Sequence, residues 1–123
     1  MHVPAERRKN RRFKVASGAY AMVTPLAHKR SEILDISRGG LALCYVPQED
    51  EPQIAIEIDP YLHIFLEDIS FCLLRIPIQT VSDVEVKTDH ISGSVRRRSV
   101  KFGAMTQNQM GELEYFLQNH ALH

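Results

Sequence analysis

Glu32-Ile-Leu-Asp-Ile36, Ser37-Arg-Gly-Gly40 and Leu41-Ala-Leu-Cys-Tyr-Val46 follow one another without interruption. Two apolar runs flank a polar turn that closes on glycine, and Pro47 ends the second run. This pattern predicts a β-hairpin, because Asp and Ser bond nearby backbone amides and Gly accepts turn conformations closed to other residues. A hairpin this early in the chain sets the expectation for what surrounds it.

Upstream, Ala19-Tyr-Ala-Met-Val-Thr24 reads as a strand closed by Pro25. Downstream, residues 47–60 are acidic and turn-rich and read as a surface excursion. Within them Ile54-Ala-Ile-Glu-Ile58 is a candidate short edge strand. Tyr61–Leu66 is a further strand. Ser70–Ile76 and Ile78–Val86 are two more, with Pro77 predicting a bend or an edge between them. Thr88–Ser94 reads as a loop and Arg98–Met105 as the last strand. The period then changes. Thr106 is a good N-cap with Gln109 three residues on, as in a capping box. Met110, Leu113, Tyr115, Phe116 and Leu117 bring apolar groups to one side of a helix. Such a helix is placed to cover one mouth of a small barrel or sandwich and to bury Phe116 and Leu117. Six or seven short strands and one helix make an all-β body.

The totals agree with a single core. The chain has 123 residues, 44% of them hydrophobic, which excludes a disordered chain. No apolar run approaches the ~20 residues that span a bilayer. The start of the chain is charged and lacks the apolar stretch of a secretion signal, which points to the cytoplasm. Cys44 and Cys72 lie in apolar runs and read as buried free thiols. The six His residues show no ligand spacing with Cys or with each other, so no metal site is expected.

Charge is balanced overall, with 15 Lys+Arg against 15 Asp+Glu, but it is not evenly spread. Six of the eight residues Arg7–Lys14 are basic. With Glu6, residues 6–14 carry +5 and the remainder −5. Residues 1–14 have no apolar face and read as a flexible basic arm; residues 15–123 read as the domain. A basic arm on a mildly acidic body suits capture of a local anion better than a nucleic-acid coat. Arginines four apart on such an arm meet phosphate oxygens with paired, charge-assisted N–H donors, and their planes stack on purines. At the hairpin, Asp35 offers an acceptor to a base N–H edge, and Ser37 offers a hydroxyl to a base or phosphate. Gly40 offers a wall free of side chain, and Arg38 one more cation at the rim. No Ser-His-Asp or Cys-His signature and no phosphate-binding Gly-rich loop occurs, so catalysis finds no local support. Arg96-Arg-Arg98 forms a second basic cluster, read as a solvated strand entrance or as a rim for phosphates.

The two motifs together, in this order and placement, resemble the PilZ domain. That family carries Arg-x-x-x-Arg in an N-terminal arm and Asp/Asn-x-Ser-x-x-Gly in the early barrel. Here the first matches Arg8 and Arg12, followed by apolar Phe13, and the second matches Asp35, Ser37 and Gly40. Arg7 and Arg11 share the first spacing, so the working pair is Arg8/Arg12 or Arg7/Arg11. Ser99 stands where many members carry Gly. The resemblance implies a six-stranded antiparallel split barrel with a C-terminal helix, and a receptor for cyclic di-GMP that signals to a protein partner. It implies that the arm arginines bind phosphates and guanine faces and that the Asp/Ser/Gly motif meets the guanine edge. It also implies that Arg7, just ahead of the first motif, goes with two stacked ligand molecules. No cofactor or metal and no enzymatic activity is implied. Two other readings stay open: a single-stranded nucleic-acid-binding barrel, which 7% aromatic residues and no Trp argue against, and a PilZ-like interaction module that binds no ligand.

Overall fold

Among the described residues eight stretches become strands, six of them long and two, the first and the last, of two residues each. The computed structural model describes residues 11–24, 30–46, 60–86 and 95–122. The elements are β1 (Lys14–Val15), β2 (Ala19–Thr24), β3 (Ser31–Ile36), β4 (Gly40–Tyr45), β5 (Tyr61–Leu66), β6 (Cys72–Val86), β7 (Val95–Phe102), α1 (Gln107–His120) and β8 (Ala121–Leu122). β2 through β7 close a six-stranded barrel in the order β2-β3-β4-β7-β6-β5. Every pairing is antiparallel. The all-β expectation therefore holds, with one C-terminal helix.

The strands form because each lays an apolar face on the core. In β2, Ala19, Ala21 and Val23 point inward between half-buried neighbours. Leu41 and Leu43 of β4, Leu62 and Ile64 of β5, Leu73, Ile76 and Ile78 of β6, and Val100 and Phe102 of β7 complete the interior. Fully burying each such side chain contributes about 1.5–3 kcal/mol. α1 opens on the predicted capping box. Thr106 accepts from the Gln109 amide at 3.1 Å, and the Gln109 side chain accepts from the Thr106 amide at 2.9 Å. Leu113, Phe116 and Leu117 join the barrel core, as expected. Met110 and Tyr115 do not; they are 47% and 55% exposed, off the buried stripe.

Three sequence expectations are corrected. Pro77 does not divide two strands, because β6 runs through it from Cys72 to Val86. The last β6–β7 pair is Ile78↔Phe102. Pro77 still pairs with Tyr61 of β5, but on the β7 side the amide it lacks falls just beyond the last pair, where a strand tolerates it, and the Pro77 carbonyl accepts from Gly103 at 2.7 Å. β7 begins at Val95 and ends at Phe102 rather than running from Arg98 to Met105. The cysteines are not both buried: Cys72 is exposed and Cys44 half-buried, since both lie on the outer side of their strands. The candidate strand Ile54–Ile58 and the loop Thr88–Ser94 lie outside the described residues.

The seam of the barrel positions the site. β2 and β3 share only two rungs, Tyr20↔Glu32 and Ala21↔Ser31. The far end of β3 is completed from upstream instead. Phe13 and Ile36 exchange backbone hydrogen bonds of 2.8 and 2.9 Å. β1 then pairs with β8, Lys14↔Leu122 and Val15↔Ala121, which ties the start of the barrel to the end of the helix.

Candidate functional site

The last residues of the basic arm lie along β3, and the geometry of β3 decides what they meet. Strands alternate, so Ile33 facing the core should send Asp35 inward as well. The ladder with β4 shifts between Ile33↔Leu43 and Asp35↔Ala42. That bulge absorbs Leu34 and flips the parity. Ile36 returns to the core and Asp35 faces outward. On the outer face the Arg12 guanidinium donates through Nη1 to Asp35 Oδ1 at 2.5 Å. Arg97 of β7 brings Nη2 to 3.6 Å from Asp35 Oδ2, an ion-pair contact rather than a hydrogen bond. Arg11 lies over the Phe13 ring at 5.3 Å, so successive arginines of the arm take opposite sides.

The turn that follows is self-contained. The Ser37 amide donates to Gly40 O at 2.8 Å. The Ser37 hydroxyl accepts from the Gly39 amide at 3.1 Å and lies 3.4 Å from Gly40 O. Ser37 is 4% exposed, so its hydroxyl serves the turn in this structure. Gly40 is needed for closeness to the next strand, since a Cβ there would stand 2.1 Å from the Val100 carbonyl oxygen. Its bareness is what lets β7 approach. Arg38 grips both carboxylate oxygens of Glu114 on α1. That guanidinium holds the Glu114 carboxyl below its ordinary range.

Of the predicted site residues, the structure therefore brings together Arg12 and Asp35, with Ser37 and Gly40 in the adjoining turn and Arg38 turned toward α1. Arg7 and Arg8 lie outside the described residues. The basic cluster of β7 divides three ways. Arg96 donates to Asp83 Oδ1 at 2.7 Å and to the Asp83 carbonyl at 2.9 Å. Arg98 is buried and donates to Thr80 Oγ1 at 2.9 and 2.6 Å. Arg97, on the opposite face of the strand, reaches Asp35. Its signal in the sequence was the odd position within three consecutive arginines, readable only once the strand's inner face was known. Tyr45 donates to Asp83 Oδ2 at 2.6 Å, and burial together with that carboxylate pushes its phenol up to about 12.

A depression of about 340 Å³ is lined by Ala16, Ser17, Gly18, Leu66, Glu67, Asp68 and His120. No predicted site residue lines it. The candidate site is thus an outer barrel face with charges at its margins. A side chain there can be neutralised or exchanged, and among the described residues no nucleophile–base pair is assembled at this face.

Fold and site define a small closed antiparallel barrel whose N-terminal arm completes the sheet beside an Asp-bearing hairpin turn. This is a PilZ-like fold. The PilZ domain of YcgR from Escherichia coli, solved with c-di-GMP, aligns with a TM-score of 0.67 at 18% identity, covering 92% of this chain and 90% of that one. MrkH of K. pneumonia in complex with c-di-GMP aligns with a TM-score of 0.68 at 18% identity over 94% of this chain. Its apo form gives 0.67 at 17% identity over 95%. The chain spans about half the length of MrkH, 52% and 50% in the two structures. No protein-family model matches the sequence, and no curated protein is similar to it.

Proposed function

We propose that the protein is a cyclic di-GMP receptor, with residues 1–14 as the arm that closes over ligand and residues 15–123 as the barrel it closes against. The observation that carries this reading is the Arg12–Asp35 pair, set on the outer face by a bulge and by the arm's own bridge to β3. The PilZ-like fold shared with proteins solved bound to c-di-GMP supports it. In the free protein each charge neutralises the other. A cyclic dinucleotide offers better partners to both. Its phosphates take the guanidinium of Arg12 through paired N–H donors, and a guanine N–H edge takes the Asp35 carboxylate. Arg8 or Arg7 then supplies a second cation from upstream, and the turn of Ser37 and Gly40 fixes the register of the edge. Arg38 contributes after release from Glu114.

Ordering residues upstream of Arg11 costs about 1–2 kcal/mol for each residue fixed. The ion pairs must exceed that cost, so affinity falls as salt rises. The newly ordered arm changes the surface offered to a protein partner, an order–disorder switch. The chemistry is binding in the cytoplasm, without turnover. Calorimetric titration with cyclic di-GMP tests the reading. Saturable binding that is lost in Arg12→Ala and in Asp35→Ala supports it, and no saturable heat up to ~100 μM ligand sinks it. The oligonucleotide reading gains no observation. Phe71, Tyr115 and Phe116 pack with His120, and Tyr20 packs with Phe65 and Arg30.

A further inference from the structure

Asp35 is shared. Its Oδ1 takes Arg12 and its Oδ2 faces Arg97, from an element that neither recognised motif includes. The ladder shows what lies between them. Cross-strand partners share a face, so the outer side of the barrel carries the row Asp35–Ala42–Ser99–Ser82 and beside it the row Glu32–Cys44–Arg97–Val84. Along β4 the positions on that face are Gly40, Ala42 and Cys44, the first two buried and Cys44 half-buried. No long side chain therefore rises between Asp35 on β3 and Arg97 on β7. Arg12 and Arg97 stand on either side of one carboxylate, which makes the cluster one positive charge in excess.

Arg97 also differs from its neighbours in sequence. Arg96 is committed to Asp83 through two bonds, and Arg98 is buried against Thr80. Arg97 keeps 44% of its side chain exposed, and its contact with Asp35 is longer than a hydrogen bond. A guanidinium held loosely by a carboxylate that is itself already paired is free to turn to a stronger anion at small cost.

We infer that Arg97 is a phosphate-binding residue of this site, so that the ligand lies across β4 and is gripped from both sides, by Arg12 and by β7. This rests on the cyclic di-GMP reading and extends it to a strand outside the two motifs. A cyclic dinucleotide carries two phosphodiesters on opposite sides of its ring. One meets Arg12, and the other meets Arg97 beside half-buried Cys44.

The test is isothermal titration of cyclic di-GMP into wild type, Arg97→Ala, Arg97→Lys and Lys101→Ala, each at three salt concentrations, with melting temperatures recorded alongside. Lys101 is exposed on the same strand and controls for loss of one charge. Losing a charge-assisted bond to phosphate weakens binding about tenfold or more, and losing one phosphate contact lowers the slope of log K against log salt by nearly one. Arg97→Ala is expected to do both. Arg97→Lys should restore the slope but only part of the affinity, since Lys lacks the paired donors. Lys101→Ala should change affinity by about twofold or less. Melting temperatures should stay together, because a half-exposed ion pair contributes little to stability. If wild type binds and Arg97→Ala binds as tightly with the same salt slope, the assignment of Arg97 is overturned and the receptor reading stands. If wild type itself shows no saturable binding, both are overturned.

Discussion

Replacing Gly40 with Ala adds one carbon at the tightest point between two strands. Gly40 has no positive φ, so alanine is compatible with its backbone and the objection is one of space alone. The new Cβ would lie 2.1 Å from the Val100 carbonyl oxygen and 3.2 Å from the Lys101 Cα. Carbon and oxygen approach to about 3.3 Å at closest, so β4 and β7 must part there by on the order of 1 Å. Both offending atoms are backbone, and no side-chain rotation relieves them. Two hydrogen bonds border the contact: Phe102 N to Gly39 O and Ser37 N to Gly40 O, each 2.8 Å. Overpacking of this kind costs about 1–3 kcal/mol, and weakening one bordering bond adds about 1 kcal/mol. The expected loss is about 2–4 kcal/mol. For a domain of this size that lowers the melting temperature by roughly 10 °C. Urea unfolding should give a lower midpoint with an unchanged slope, since the surface exposed on unfolding is the same. Gly111→Ala is the matched control. Nothing lies within 4 Å of its added carbon, and a helix interior gains about 0.5–1 kcal/mol from the change. If Gly40→Ala melts within about 2 °C of wild type, the strand-contact account of this glycine is wrong, and its place in the motif must be explained by ligand instead.

Three further outcomes follow from single contacts. Phe116 is fully buried among Phe71, His120 and the barrel core, so Phe116→Ala should cost about 3–5 kcal/mol by chemical denaturation. Tyr45 holds its proton through burial first and the Asp83 carboxylate second, and it ionises near about 12 in the folded state. The unfolded chain then binds fewer protons above pH ~10. The contribution of Tyr45 to stability is therefore constant below that value and falls as pH rises through the window up to about 12. Ultraviolet titration of wild type against Tyr45→Phe isolates this ionisation, and Asp83→Asn should bring it lower. Glu114→Gln releases Arg38 from an exposed pair. Melting should stay within about 2 °C, while affinity for cyclic di-GMP rises if Arg38 joins the ligand. Unchanged affinity would remove Arg38 from the site.

Much of the molecule is legible along the chain. The hairpin 32–46, the capping box at Thr106 and Gln109, and the buried stripe Leu113, Phe116 and Leu117 all depend on residues within a few positions of each other. Local periodicity and turn chemistry carry such information. Legibility fails where a partner is distant. Pro77 reads as a breaker until β7 is seen to end opposite it. Cys72 reads as buried until its outward side is known. β1 and β8, two residues each, carry no pattern and exist only because they pair with one another.

The candidate site divides in the same way. The residue types and spacings around Arg8, Arg12, Asp35, Ser37 and Gly40 follow from sequence alone, because charge and hydrogen-bonding capacity belong to the side chains. Which of these meet, and what else joins them, belongs to the folded sheet. One absorbed residue, Leu34, turns Asp35 from the core to the surface. The short β2–β3 seam lets the arm bring Arg12 to it. Register across β4 delivers Arg97 from more than sixty positions away. A strand's alternation is local, but its bulges and its neighbours are set by the closure of the whole barrel, and that closure decides which face each charge occupies.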